Sequence, residues 1–321
     1  MLKKKIPFAL AVAAVISAAM VGSDHLATPQ IDAQDRSHLV NTGRAQTFLK
    51  LPMGTMHVRV SGPDDGPVVL LVHGAFISGA SFEPWLRPLA DAGYRVIAPD
   101  LLGYGYSDRP DGRYDGDFYT AQLDQLLKAM KIDRPVHLAG VSMGAAVLAS
   151  FTQRRPHLVR SVALIAPDGV GGTSLVFEPL LLPVVGDLAF GVLGPRNVRA
   201  LMREAYQLPS HDDRWDVLVS EQASYWGYTE GILKTLRHLN AHWMPEAYQA
   251  IGRTGVPAMA LWGTHDAVNR FEESRMLSEW MPQVHVVPVD GENHALAVGD
   301  PSVILQSMIP FLDSAEEAGE R

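Results

Sequence analysis

Three residues spread along half of the chain could together turn a hydroxyl into a nucleophile: Ser142, Asp266 and His294. A serine hydroxyl attacks an acyl carbon at neutral pH only if a neutral imidazole takes its proton and later returns it to the leaving group. A carboxylate on the other ring nitrogen fixes the tautomer and stabilises the imidazolium. Ser142 lies in Gly140-Val141-Ser142-Met143-Gly144, a G-x-S-x-G pentapeptide. By chance alone these three fixed positions would occur in about one chain in ten of this length. The surroundings therefore have to decide.

They do so through position. Pro135 to Ala139 is a short, mainly apolar run of strand length, and Ala145 to Phe151 is rich in small, helix-tolerant residues. A strand that hands one serine directly to a helix makes a crowded turn, and the small residues two before and two after let the backbone pass. Asp266 ends Trp262-Gly263-Thr264-His265-Asp266, just past the apolar run Pro257 to Trp262, and His294 follows the run Val284 to Val289. Ligands of parallel sheets bind beyond the carboxyl ends of the strands, so all three groups fall on the rim where chemistry is expected. An oxyanion formed there needs preorganised donors. The Met143 N–H, at the start of the helix, is the first candidate; the second is the Ala75 N–H, with Phe76 as the alternative, after the run Pro67 to Val72.

The elements that must carry these residues follow in alternation. Gln46 to Leu51 and Met56 to Val60 form a hairpin, and Tyr94 to Ala98 and Ser161 to Ile165 are further strands. Phe82 to Ala92, Tyr119 to Met130, Glu272 to Trp280 and Val303 to Leu312 have helical spacing. Continuous apolar runs indicate strands covered on both faces. The fold class is α/β: a mostly parallel central sheet flanked by helices. The alternation stops over Gly169 to Arg253, which reads as an inserted helical cap. The organisation is then residues 1–23 as leader, 24–45 as linker, 46–168 and 254–314 as core, 169–253 as cap and 315–321 as tail.

Composition bounds the chemistry. The chain has 321 residues, 47% of them hydrophobic, a formal charge of −8 and no cysteine. Disulfides, cysteine nucleophiles and thiolate metal sites are excluded, and nucleic acid is not an expected partner. Lys3-Lys4-Lys5 precede an uncharged apolar stretch over residues 6–22, the layout of an export signal or an uncleaved membrane anchor. Either puts the body outside the cytoplasm, in the periplasm or medium or held at the membrane. Removing residues 1–23 takes away three lysines and no acid, which moves the charge from −8 to −11.

Taken in order, HGAF at 73–76, PDLLGYGYSDRP at 99–110, GVSMG at 140–144, WGTHD at 262–266 and GENHA at 291–295 resemble the α/β-hydrolase-fold serine esterases and lipases, in their esterase and monoacylglycerol-lipase-like branch. The resemblance extends over roughly residues 46–314. It implies an α/β-hydrolase fold with a helical cap, a small-molecule ester substrate, no cofactor and an acyl-enzyme route. Serine at the elbow separates this chain from the epoxide hydrolase and haloalkane dehalogenase branches, which use aspartate there. A carbon–carbon bond hydrolase or a perhydrolase would use the same triad; the HGxGPG loop of the former is missing. A catalytically silent binding protein of the same fold is the remaining alternative.

The resemblance also ranks the other candidates. Asp168, past another strand, is the alternative triad acid, beside its reading as a turn residue. His73 is expected to bond backbone, and His265 to be a satisfied neighbour of Asp266. Asp100, Ser107, Asp108 and Arg109 are expected to brace the 101–110 loop. His238 and His242 are four apart, so on one helix they would share a face, but Leu239 stands where a metalloprotease helix needs glutamate and Pro245 should end or kink that helix. No metal site is expected. Phe76, Trp226 and Trp243, with Tyr228, are candidates to line an acyl pocket under the cap. Oligomeric state is not indicated.

Overall fold

The computed structural model describes residues 31–40, 46–171 and 227–319, with a few isolated positions between 172 and 226. Its centre is an eight-stranded sheet. The strands are β1 (Gln46–Leu51), β2 (Gly54–Ser61), β3 (Val68–Val72), β4 (Arg95–Pro99), β5 (Val136–Val141), β6 (Val159–Ile165), β7 (Ala258–Gly263) and β8 (Val284–Val289), in the order β1-β2-β4-β3-β5-β6-β7-β8. β2 runs antiparallel to both β1 and β4, and all other pairings are parallel. The expected α/β-hydrolase architecture is present.

Alternation along the strands sorts side chains between two cores. Val68, Leu70 and Val72 of β3 join one cluster, whereas Val69 and Leu71 join the other. The first core is closed by α3 (Gly116–Ala129), α4 (Met143–Arg154), α6 (Pro245–Thr254) and α7 (Ser274–Trp280). The second is closed by α2 (Glu83–Asp91) and α8 (Ser302–Gly319), through Trp85, Leu89, Ile304 and Met308. All five β3 residues are buried, which is why the stretch reads as one unbroken apolar run. Each such side chain contributes about 1.5–3 kcal/mol, and Leu70→Ala is expected to cost about 2–5 kcal/mol.

Two boundaries differ from expectation. Helix α1 (Ala33–Val40) lies within the stretch read as linker, with Arg36 paired to Asp108 and stacked over Phe48. Residues 315–319, expected in the tail, continue α8, because Ser314-Ala315-Glu316-Glu317-Ala318 holds no helix breaker. β8 is an end strand with only Val289 buried, and Pro288 fits there because an edge tolerates the loss of one N–H donor. Residues 1–30 lie outside the described residues, and among those described no helix is long and apolar enough to cross a membrane.

The loop after β4 is braced as its polar residues suggest, but with two partners from β2 that sequence reasoning missed. Fully buried Asp100 accepts from Arg59 Nη1 at 2.7 Å, from the N–H groups of Gly79 and Tyr106 at 2.9 Å each, and faces His57 Nδ1 at 2.9 Å. Burial alone would raise its pKa, but the Arg59 guanidinium, His57 and the Tyr106 N–H outweigh burial and hold it well below the usual carboxylate range. Ser107 Oγ donates to the Asp100 carbonyl, Asp108 accepts from the Thr55 N–H, and Arg109 donates to the carbonyls of Ser107 and Gly105.

Candidate active site

Ser142 stands alone between β5 and α4, with φ 51° and ψ −118°. A non-glycine residue at that φ costs on the order of 1–3 kcal/mol and persists only where the surroundings hold it. They do: its N–H pairs with the Ile165 carbonyl and its own carbonyl accepts from Ala145 and Asp168. A Cβ on Gly140 would stand 2.7 Å from the Gly144 backbone, and one on Gly144 would stand 2.1 Å from the Val72 carbonyl oxygen. Both glycines are therefore required by close approach, as the pentapeptide suggests.

The turns after β7 and β8 are stitched together. Thr264 N–H donates to the Val289 carbonyl, His265 N–H to the Glu292 carbonyl, and Gly291 N–H to Thr264 Oγ1. This stitching brings Asp266 and His294 into register. Asp266 Oδ1 accepts from the N–H groups of Val268 and Asn269, both at 2.8 Å, and Oδ2 faces His294 Nδ1 at 2.7 Å. His294 opens a short 3-10 turn capped by Asn293. Its Nε2 lies 3.1 Å from Ser142 Oγ. With the carboxylate on Nδ1, the proton sits on that nitrogen and Nε2 accepts from the serine. All three side chains are buried.

A second carboxyl reaches the same hydroxyl. Asp168 follows β6, and its Oδ1 lies 3.4 Å from Ser142 Oγ. Asn269 Nδ2 donates to that oxygen at 2.7 Å, and Tyr248 donates to the Asp168 carbonyl. Burial pushes the Asp168 carboxyl up, against the Asn269 hydrogen bond. Asp266, not Asp168, is the acid on the imidazole. Asn269 was missed by sequence reasoning; its position three after Asp266, where a carboxylate caps the following N–H groups, was the available signal. Glu273 stands nearby, and burial pushes it up to about 7 against the pull of Arg270.

The HGAF turn runs directly beside the serine: a Cβ on Gly74 would lie 3.5 Å from Ser142 Cβ. His73 donates from Nδ1 to the Gly74 carbonyl at 2.8 Å and accepts the Leu101 N–H on Nε2 at 3.0 Å. Burial lowers its pKa to about 4, so the ring is neutral and bonds backbone as expected. Because it grips the carbonyl of the peptide that carries the Ala75 N–H, it fixes the direction of that donor. Met143 is the first residue of α4, so its N–H is not used by the helix ladder. Phe76 is buried in the same turn with φ 65°, and its carbonyl accepts from Tyr228 at 3.2 Å.

Other candidates are not brought here. Trp243 is 44% exposed, packs edge-on against Trp280, and borders a surface cavity of ≈ 350 Å³ with Ser150, Gln153 and Arg154, toward the end of α4 remote from Ser142. The cause is a reversal: α5 (Tyr228–His238) stops, and Asn240 in the left-handed region (φ 55°) turns the chain away. That break also keeps His238 and His242 off one helix face, and Pro245 opens α6 instead of ending a helix. The His265 side chain is exposed; its bond to the neighbouring loop is made by its N–H. Trp226 lies outside the described residues, as does most of 172–226.

A family model described as alpha/beta hydrolase fold matches residues 67–300. Lipase 3 of Moraxella sp. is 25% identical over 241 residues, 71% of this chain and 72% of that protein. The 2-hydroxy-6-oxo-2,4-heptadienoate hydrolase of Pseudomonas putida is 38% identical over 108 residues, 33% of this chain and 39% of that protein. Among solved structures, a putative aryl esterase from Burkholderia cenocepacia superimposes with a TM-score of 0.69 at 17% identity, covering 85% of this chain and 99% of that one.

Proposed function

The chain belongs to the alpha/beta hydrolase fold family, and from that premise we propose that it is a serine hydrolase cleaving carboxylic esters of acyl or aryl type through an acyl-enzyme. The observation that carries this reading is the unbroken series from Asp266 through His294 to Ser142, at 2.7 and 3.1 Å. Ser142 Oγ attacks the ester carbonyl carbon while its proton passes to His294 Nε2. The N–H groups of Met143 and of Ala75, with Phe76 as the alternative, receive the oxyanion. The carbon–oxygen bond to the alcohol breaks, and His294 protonates the departing oxygen. Water then attacks the acyl-enzyme by the same route in reverse, releasing the acid. No cofactor enters these steps.

The 169–253 insert serves as the cap that selects the acyl group, and residues 1–23 act as export signal or anchor, with 6–22 meeting the membrane. An ester series of increasing acyl length, assayed with wild type and Ser142→Ala, tests the mechanism. The variant is expected to lose at least about 10⁴-fold in kcat/KM while remaining folded; full activity in it would sink the proposal. The local similarity to the heptadienoate hydrolase favours a second reading, carbon–carbon hydrolysis by the same triad. Turnover of a dienone in preference to every ester would select it.

A further inference from the structure

Helix α5, contributed by the insert, is bonded directly to one side of the candidate oxyanion site, at Phe76, and reaches the other, at Met143, through Tyr104. At its first turn, Tyr228 donates to the Phe76 carbonyl at 3.2 Å. That carbonyl belongs to a residue with φ 65°, a region that favours glycine and that phenylalanine keeps only under restraint. Two turns later, Thr235 Oγ1 accepts from Tyr104 at 2.8 Å, pairs with Tyr119 at 2.6 Å and donates to the Gly231 carbonyl at 2.8 Å. The donors and acceptors balance: two phenolic O–H groups fill the two lone pairs of the threonine oxygen, and its own proton goes to the helix. The Tyr104 oxygen also lies 3.4 Å from Met143 Sδ. All four hydroxyl residues are buried. Between the two anchor points, a Cβ on Gly231 would stand 2.2 Å from the Gly103 carbonyl oxygen, so α5 rests directly on the backbone of the 101–110 loop.

We propose that α5 is a positioning element of the oxyanion site, in which Tyr228 fixes the strained HGAF turn and the Thr235–Tyr104 pair fixes Met143. It touches neither the reacting atoms nor the substrate carbonyl; it holds the carbonyl of Phe76, the peptide that follows the Ala75 and Phe76 N–H groups, and the side chain of Met143, and so steadies the two turns that present the donors. This rests on the reading of Ser142 as the nucleophile. It makes that part of the insert a built-in strut of the catalytic machinery, whatever the rest of the insert does for substrate choice.

The test uses Tyr228→Phe and Thr235→Val, each of which removes a hydroxyl at nearly constant volume, with Thr235→Ser as the conservative control. A fluorophosphonate titrates reactive serine, so that rates are expressed per competent site and a partly unfolded preparation does not mislead. Per titrated site, Tyr228→Phe and Thr235→Val are expected to lower kcat about tenfold with KM changed less than about twofold. A trifluoromethyl ketone, which forms an oxyanion on the serine, should weaken by the same factor, and Thr235→Ser should restore both values. Unchanged kcat per titrated site in both variants, or a fall in kcat with no matching loss of ketone affinity, overturns the proposal. Failure of the underlying reading looks different: wild type would not be labelled, and Ser142→Ala would hydrolyse esters at the wild-type rate.

Discussion

Among the described residues are two buried histidine–aspartate pairs of almost the same geometry. His294 Nδ1 stands 2.7 Å from Asp266 Oδ2, and His57 Nδ1 stands 2.9 Å from Asp100 Oδ2. The difference lies in what surrounds them. His294 turns its other nitrogen to a strained serine hydroxyl, whereas His57 turns its own to Gln46 Oε1 at 3.1 Å. Asp266 spends its remaining oxygen on two N–H groups of its own turn, while Asp100 is bound by a guanidinium and by N–H groups from two other loop positions. A histidine–carboxylate pair is thus no signature of catalysis. One pair orients a ring toward a strained serine hydroxyl, and the other clamps a loop.

The sharpest way to break this comparison is to neutralise each acid. Asp266→Asn is expected to lower kcat by about 10³- to 10⁴-fold with little effect on folding, because the ring loses its tautomer and its counter-charge. Asp100→Asn should do the opposite: it removes the buried carboxylate facing Arg59, leaves that guanidinium only the partly exposed Glu83 at 3.5 Å, and costs about 3–5 kcal/mol in urea denaturation. Its kcat per titrated serine should stay within about threefold of wild type, by the same reasoning that separates loop clamping from chemistry. If Asp100→Asn lost the rate and kept the stability, the distinction would be wrong.

Glu273 offers a smaller test on the catalytic side. Its ordinary pKa is 4.5, and burial raises it to about 7 in the folded chain. As pH rises through that window the unfolded chain releases the proton first, so the fold loses stability, on the order of 3 kcal/mol, and the loss levels off above pH 7. Glu273→Gln should flatten that dependence in urea melts between pH 5 and pH 8. The smallest effect is expected at Asp168. Its carboxyl meets the serine and not the imidazole, so Asp168→Asn should cost about tenfold in kcat or less. A loss as large as that of Asp266→Asn would make it the working acid.

How far the sequence could be read follows from the same residues. Ser142, Asp266 and His294 were legible because each follows an apolar run of strand length, and the carboxyl ends of neighbouring parallel strands converge on one rim. Asp168 was a candidate too, but its meeting with Asn269 was not legible, because it depends on the register of β6 against β7 and on the conformation of the turn after Asp266. His57 stayed hidden for a related reason: it is 43 positions from Asp100 and meets it only through antiparallel β2. Within the insert, aromatic composition suggested a pocket, but composition carries no direction. Trp243 turned to the surface, while Tyr228 turned to the HGAF turn and Thr235 to Tyr104 and Tyr119.

The end strand β8 has a consequence for how copies of this chain behave together. Val284-His285-Val286-Val287-Pro288-Val289 carries no acid, lysine or arginine, and among the described residues no strand pairs with its outer side. An uncharged, half-exposed edge of this kind is a template on which a second chain could add a strand. Pro288 interrupts the template by withholding one donor in the row and by fixing its own φ. The opposite edge carries Lys50 on β1 and has α1 packed against it. Among the described residues, strand addition is therefore opposed by a single proline at one margin of the sheet and by a charge and a short helix at the other.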